Sequence, residues 1–116
     1  MVDAVGASDA DKALKLYNEL IELKEAPSYI LYMLIRHFNI LLQISSLGGA
    51  AKNEIAAKIG ISPYFVGNYQ RQAAGFKREQ LKNALESSLD TEQKFKTGIL
   101  DDQIGVELLI VGLVSR

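Results

Sequence analysis

Apolar positions recur every three to four residues along most of the chain, between short segments that contain glycine, proline or a capping residue. This spacing is typical of amphipathic helices, and no segment alternates as a half-buried strand does. We therefore predict an all-α fold, a compact bundle of five to six helices with short loops. The first predicted helix runs from Ser8 or Asp9 to near Glu25, the second from Pro27 or Ser28 to near Leu47, and the third from Lys52 or Asn53 to near Ile59. The fourth runs from Ser62 to near Ala74, the fifth runs from Lys77 to near Lys96, and the sixth begins at Asp101 or Asp102.

The second predicted helix is apolar around most of its circumference, between Ile30 and Leu47. A helix of this kind must be surrounded by other helices, so we expect it at the centre of the bundle. Arg36, His37 and Asn39 interrupt the apolar run, and such groups are costly inside a bilayer. The pattern therefore predicts a buried helix and no membrane span.

The 116 residues are enough for one domain with its own core. We expect residues 1–8 to be a linker from N-terminal domains that lie outside this sequence, and residues 9–116 to form the helical domain. The absence of cysteine excludes disulfides and thiolate metal sites, and it fits a reducing cytoplasm. No basic and apolar leader of the secretory type is present at the start.

The net charge is only −1, so no overall basic field attracts the chain to nucleic acid. The charges are nevertheless unevenly placed, with a net of +4 in residues 52–78, −3 in residues 1–25 and −4 in residues 86–107. The basic stretch has two interpretations. It is either an ordinary solvated surface or a weakly basic patch that faces DNA or an acidic partner.

A helix-turn-helix layout occupies residues 53–74, where a short helix, Gly60 and a second helix starting at Ser62-Pro63 follow one another. If it read DNA, the second helix would lie in a major groove. Its start is aromatic and uncharged, however, whereas phosphate contacts usually need several cations nearby. We therefore favour packing or protein contact over DNA reading. The side chains that a DNA-reading helix would present are Tyr64, Asn68, Gln70, Arg71 and Gln72.

No motif in the sequence indicates reaction chemistry. Lys96-Thr97-Gly98 lacks the Ser-x-x-Lys nucleophile that accompanies this tripeptide in penicillin-binding enzymes, and the phosphate-loop pattern is absent. His37 is the single histidine and has no companion for a metal or a catalytic pair, so we interpret it as a packing or interface residue. We predict no catalytic, cofactor or metal site. Four tyrosines are candidate anchors for a partner or cover the rim of the core: Tyr29, Tyr32, Tyr64 and Tyr69.

Several segments, in this order, resemble the C-terminal domain of the delta subunit of the bacterial DNA polymerase III clamp loader. They are a helix from Asp11 to Leu23, the run from Ile30 to Leu42 with Arg36, His37 and Phe38, the segment from Glu54 to Ile61 with Pro63-Tyr64 and Val66, Gln72-Ala73 and Phe76, Leu81 to Leu89, and Asp90 before Lys96-Thr97-Gly98. Each motif alone has low specificity, and the resemblance rests on the order and spacing of the motifs over nearly the whole chain.

The resemblance implies a collar-type helical domain that joins related domains of the other clamp-loader subunits, tau/gamma and delta-prime. It also implies that the sliding clamp is gripped only through N-terminal domains that are missing here, and that this segment carries no catalytic residue or cofactor. Contact with DNA would be weak, and no contact with a membrane is expected. The candidate residues for a subunit or DNA interface are Arg36, Tyr64, Tyr69, Arg71, Lys77 and Lys96.

Overall fold

The computed structural model describes residues 1–99 and 101–115, and within them the chain is all-α without a strand. The all-α class is confirmed, but the predicted number of five to six helices is wrong, because the described residues form seven. The helices are α1 Val2–Gly6, α2 Ala10–Glu22, α3 Pro27–Ser46, α4 Lys52–Ile59, α5 Pro63–Ala74, α6 Arg78–Lys96 and α7 Asp102–Val114. In the described chain, no helix combines the length and apolar character that crossing a membrane requires.

Helix α3 is the central helix, as its sequence predicts. It packs against α5, α6 and α7 and also contacts α1 and α4. Leu34, Phe38 and Leu41 are fully buried within it, and Phe38 meets the ring of Phe76 edge-on at 5.7 Å between centroids. Burial of such side chains is the main favourable contribution to folding.

The unpredicted helix is α1, which five residues form without any periodic signal of their own. Isolated helices this short are unstable in water, so tertiary contacts must hold it. It touches α2, α3, α5 and α7, and Ala4 and Val5 are buried among them. The sequence pattern misses α1 because a single helical turn needs no repeat. Whether residues 1–8 also link this domain to others stays a prediction.

Caps and breakers set the helix boundaries close to the predicted positions. Asp9 accepts a hydrogen bond from the backbone N–H of Lys12 at the start of α2, and Pro27 opens α3. Helix α2 ends at Glu22 rather than near Glu25, because Lys24 takes a left-handed conformation with φ of 67°. Leu23, at the cap, is consequently 75% exposed.

Candidate protein-interaction surfaces

The helix-turn-helix layout is present in α4 and α5. Gly60 ends α4 in the left-handed region with φ of 82°, which glycine adopts at no steric cost. The Ser62 hydroxyl caps α5 by accepting from the N–H of Tyr64 at 3.3 Å. Ile55 and Val66 are fully buried and hold the two helices against the bundle. The unit is therefore a rigid part of the core as well as a surface feature.

The outer end of this unit exposes two aromatic rings and little else. Tyr64 is 86% exposed and Phe65 is 52% exposed, and their rings meet edge-on at 5.2 Å. Two of the side chains that a DNA-reading helix would present are used inside the protein. Gln72 donates to the Asp3 carboxylate at 2.8 Å, and Asn68 donates to the same oxygen at 3.4 Å. These bonds count against reading of bases by α5.

Gln72 also joins α5 to the central helix. Its Oε1 lies 2.6 Å from Nε2 of His37, and because an amide oxygen can only accept, the imidazole proton sits on Nε2. Gly6 packs directly on this pair, so that a Cβ at position 6 would overlap the Gln72 amide and lie 3.0 Å from Nε2. These contacts fasten α1 to α3 and α5. They involve the side chains of Asp3, His37 and Gln72 and the backbone of Gly6. We refer to them as the α1 latch.

His37 is accordingly a buried packing histidine, as the sequence indicates. Burial lowers its pKa below the ordinary 6.5, because the charged ring loses hydration, and this outweighs the hydrogen bond to Gln72, which acts in the opposite direction. The ring also packs on Tyr69, with centroids 5.4 Å apart. No nucleophile is among these partners, so the arrangement supports structure rather than catalysis.

The six predicted interface residues do not form one patch. Arg36 and Tyr69 line the same hollow, of about 390 Å³, together with Phe65. Lys77 and Lys96 bracket α6, a helix of 19 residues, so they lie roughly 28 Å apart. Lys96 forms a surface ion pair with Glu92 at 3.5 Å. Whether any of the six contacts a subunit or DNA stays a prediction.

Arg71 and Lys52 approach each other across Gly67. A Cβ on Gly67 would lie 3.4 Å from Nζ of Lys52 and 3.7 Å from Nη1 of Arg71. In the described part of the chain, neither cation forms an ion pair. Like charges held this close leave a local positive field at the surface of α4 and α5.

The outer side of α7, which the sequence pattern did not single out, exposes three large aliphatic side chains. Ile104 is 55% exposed, Leu108 60% and Val111 42%, and their spacing of four and three residues places them in one row. We call this row the α7 stripe. The signal in the sequence is that the apolar residues of α7 lie on more than one side of the helix, so that one buried face cannot cover them all.

A groove between α6 and α7 lies beside this stripe. It has a volume of about 260 Å³. The α7 side of the groove is formed by Leu109, Gly112 and Leu113, and the α6 side includes Ala84 and Ser87. We call it the α6–α7 groove. Its walls on these two helices are apolar or uncharged, so it suits an apolar side chain from a partner.

The start of α7 is fixed in position by a buried tyrosine of α2. The Tyr17 hydroxyl donates to the backbone carbonyl of Gln103 at 2.7 Å. Burial raises the pKa of Tyr17 to about 12, and the nearby carboxylates of Glu107, Asp102 and Asp101 add to this effect. The side chain is therefore a neutral hydrogen-bond donor at physiological pH. In the described residues, no group of three or more histidine, aspartate or glutamate side chains could hold a metal ion.

Comparison with known proteins supports one family. Residues 1–113 match the family described as DNA polymerase III delta subunit, C-terminal domain. A DNA polymerase III subunit delta from Bacillus subtilis (strain 168) is 26% identical over 107 residues, which cover 90% of this chain and 31% of that protein. The solved Bacillus subtilis DNA clamp loader delta protein (YqeN) has the same fold, with a TM-score of 0.89 at 24% identity over 99% of this chain and 34% of that one. The chain thus spans about a third of the length of these relatives.

Proposed function

The chain belongs to the family of C-terminal domains of the DNA polymerase III delta subunit, and from this premise we propose that it is a non-catalytic assembly domain of a clamp loader. In this role it joins related domains of other subunits in a collar. The observation that carries the proposal is the α7 stripe, three large apolar side chains left in water in one row. Contiguous apolar surface of this kind marks interaction sites in proteins with closed cores.

The partners we propose are the tau/gamma and delta-prime subunits in the cytoplasm. Loading of the sliding clamp on primed DNA would then be an activity of the whole assembly. Contact with the clamp itself would belong to other parts of a delta subunit, since this chain spans about a third of the length of its relatives. The contribution of this domain is to hold its subunit in the ring.

Assembly can be tested by mixing the purified chain with the tau/gamma and delta-prime subunits and measuring the mass of the eluted species by light scattering. The proposal predicts a defined complex that contains one copy of this chain. Elution of every component at its own mass, at concentrations well above micromolar, would contradict it. A full-length delta subunit from Bacillus subtilis serves as the positive control, because its C-terminal part has the same fold.

A sequence-reading DNA-binding role is the weaker alternative, because Asn68 and Gln72 are bonded to Asp3. The two cations beside Gly67 support at most a weak contact with phosphates, which carries no sequence information. A duplex shift that weakens with salt and is lost in the Arg71→Ala plus Lys77→Ala variant would support DNA contact. Tight recognition of one defined site would overturn the assembly proposal.

A further inference from the structure

The α7 stripe and the α6–α7 groove are parts of one surface. Gly112 lies one helical turn after Leu108 of the stripe and also forms part of the groove. A Cβ added at Gly112 would meet nothing within 4 Å, so the surface is open at the point where the two features join. The absence of a side chain there allows the backbone of a partner helix to approach closely.

Helix α7 and its cap supply only acidic groups to this surface. They contribute Asp101, Asp102 and Glu107, and α7 contains no lysine or arginine. The groove is lined on the α6 side by uncharged polar or small residues, among them Gln80, Asn83 and Ser87. An apolar surface that has only acidic groups at its side is complementary to an apolar surface flanked by cations.

The α7 helix of a second copy does not supply the complementary charge. In a contact between two copies of this surface, both α7 helices bring carboxylates and neither brings a lysine or arginine. Like charges across an interface are unfavourable and serve to exclude wrong partners. The charge pattern therefore favours a different protein.

We propose that the α7 stripe and the α6–α7 groove together bind one helix of a neighbouring clamp-loader subunit, a helix with an apolar ridge and flanking lysine or arginine residues. The inference rests on the proposed assembly function and specifies the surface and the partner chemistry for it. Ile104, Leu108 and Val111 form a ridge with the spacing by which helices interlock. The groove receives a large apolar side chain of the partner, and the acidic groups pair with its cations.

The test compares binding of the wild-type chain and three variants to the tau/gamma and delta-prime subunits by titration calorimetry. Leu108→Ser removes the most exposed member of the stripe, and Gly112→Leu fills the groove. Leu23→Ser is the matched control, because it makes the same substitution at an even more exposed leucine, at the end of α2. All three positions face solvent, so the thermal unfolding of each variant checks that the fold is intact.

We expect Leu108→Ser and Gly112→Leu each to weaken binding by about tenfold or more, as loss of a central interface contact does. Leu23→Ser should change it by no more than about twofold. Raising the salt concentration should weaken binding of the wild-type chain, because the cations of the partner face carboxylates.

Two failures can be told apart. If the wild-type chain binds none of the subunits, the proposed function fails and this inference fails with it. If the wild-type chain binds, but Leu108→Ser and Gly112→Leu bind equally well or Leu23→Ser weakens binding as much as they do, only the inference is overturned. Self-association that Leu108→Ser abolishes would show that a second copy occupies the surface, which also overturns it.

Discussion

The α4–α5 face and the α6–α7 surface both expose large apolar side chains, yet they are built differently. On α5 the exposed large apolar residues are two adjacent aromatics, Tyr64 and Phe65, whose rings pack on each other. On α7 the exposed residues are aliphatic and stand in a row beside a groove, with acidic groups only. The α5 rings thus partly cover each other, whereas the α7 row has no cover within the described chain.

The two regions also differ beneath the surface. Behind α5 lies the α1 latch, in which the buried Gln72 side chain bonds both to the buried His37 ring and to the exposed Asp3 carboxylate. Behind the α7 stripe lie apolar residues such as Val106 and Ile110, which are fully buried. A satisfied polar network rigidifies the part of the core that contains it. We therefore propose α7, rather than α5, as the binding surface.

The largest effect is expected at α3, which both regions share. Leu41→Asp places an unpaired charge at a fully buried position and should destabilise the domain by about 4 kcal/mol or more, enough to unfold it. Both faces would be lost together. Circular dichroism during heating measures this, and Asn39→Asp on the exposed side of α3 is the control, which should shift stability by less than about 0.5 kcal/mol. A cooperative transition retained by Leu41→Asp would show that α3 is not central.

The next largest effect is expected for a substitution at Gly6, which should disturb the α1 latch behind α5 and not the α6–α7 surface. Gly6→Ala forces a methyl group into the Gln72 amide and against His37, so the latch must open or shift. We expect a loss of about 1–3 kcal/mol in the free energy of unfolding, as overpacking typically costs. Urea denaturation gives the value. Amide exchange should rise in α1 and α5 while α6, which does not pack on α1, stays as in the wild type, and equal loosening everywhere would contradict a local latch.

Gly112→Ala, in the α6–α7 surface, should change the free energy of unfolding in the opposite direction. Its Cβ meets nothing and Gly112 lies inside α7, so the substitution should stabilise the domain by about 0.5–1 kcal/mol through helix propensity. A higher midpoint in the same urea titration would confirm that the surface there is open. Destabilisation would mean that another part of the chain covers Gly112.

The smallest effect is the pH dependence that His37 confers. Its pKa is lowered in the folded state, mainly by burial, with Arg36 and the terminal amine also lowering it and Asp3 and Gln72 opposing them. The unfolded state therefore binds the proton more readily. Stability from this group is complete above the ordinary pKa of 6.5 and declines as the pH falls towards the lowered value. His37→Gln should flatten the dependence of unfolding free energy on pH between neutral and mildly acidic conditions, and an unchanged slope would contradict this.

Sequence pattern predicted the regular part of this fold well. Proline and glycine positions, with capping residues such as Asp9 and Asp101, placed the starts of α2 to α7 within a residue or two. The central position of α3 followed from its apolar circumference. Helix α1 could not be predicted in the same way, because contacts with four other helices, rather than its own five residues, stabilise it.

The candidate surface was harder to predict than the fold. Periodicity indicates which positions of α7 are apolar but cannot show which of them another helix covers, so Ile104 and Leu108 resembled core residues. The predicted interface residues were chosen for charge or aromatic character, and Tyr69 proves to be partly buried against His37. Exposure depends on packing between distant segments, and the pattern of apolar residues in a sequence does not show which segments pack together.

Amide hydrogen exchange of the chain, measured free and in complex with the other clamp-loader subunits, tests the central claim most directly. We expect new protection in residues 101–115 and in the α6 positions that line the groove, from Gln80 to Ser87, while α4 is unchanged. Exchange along α7 that is the same in the free chain and in the complex would contradict the account.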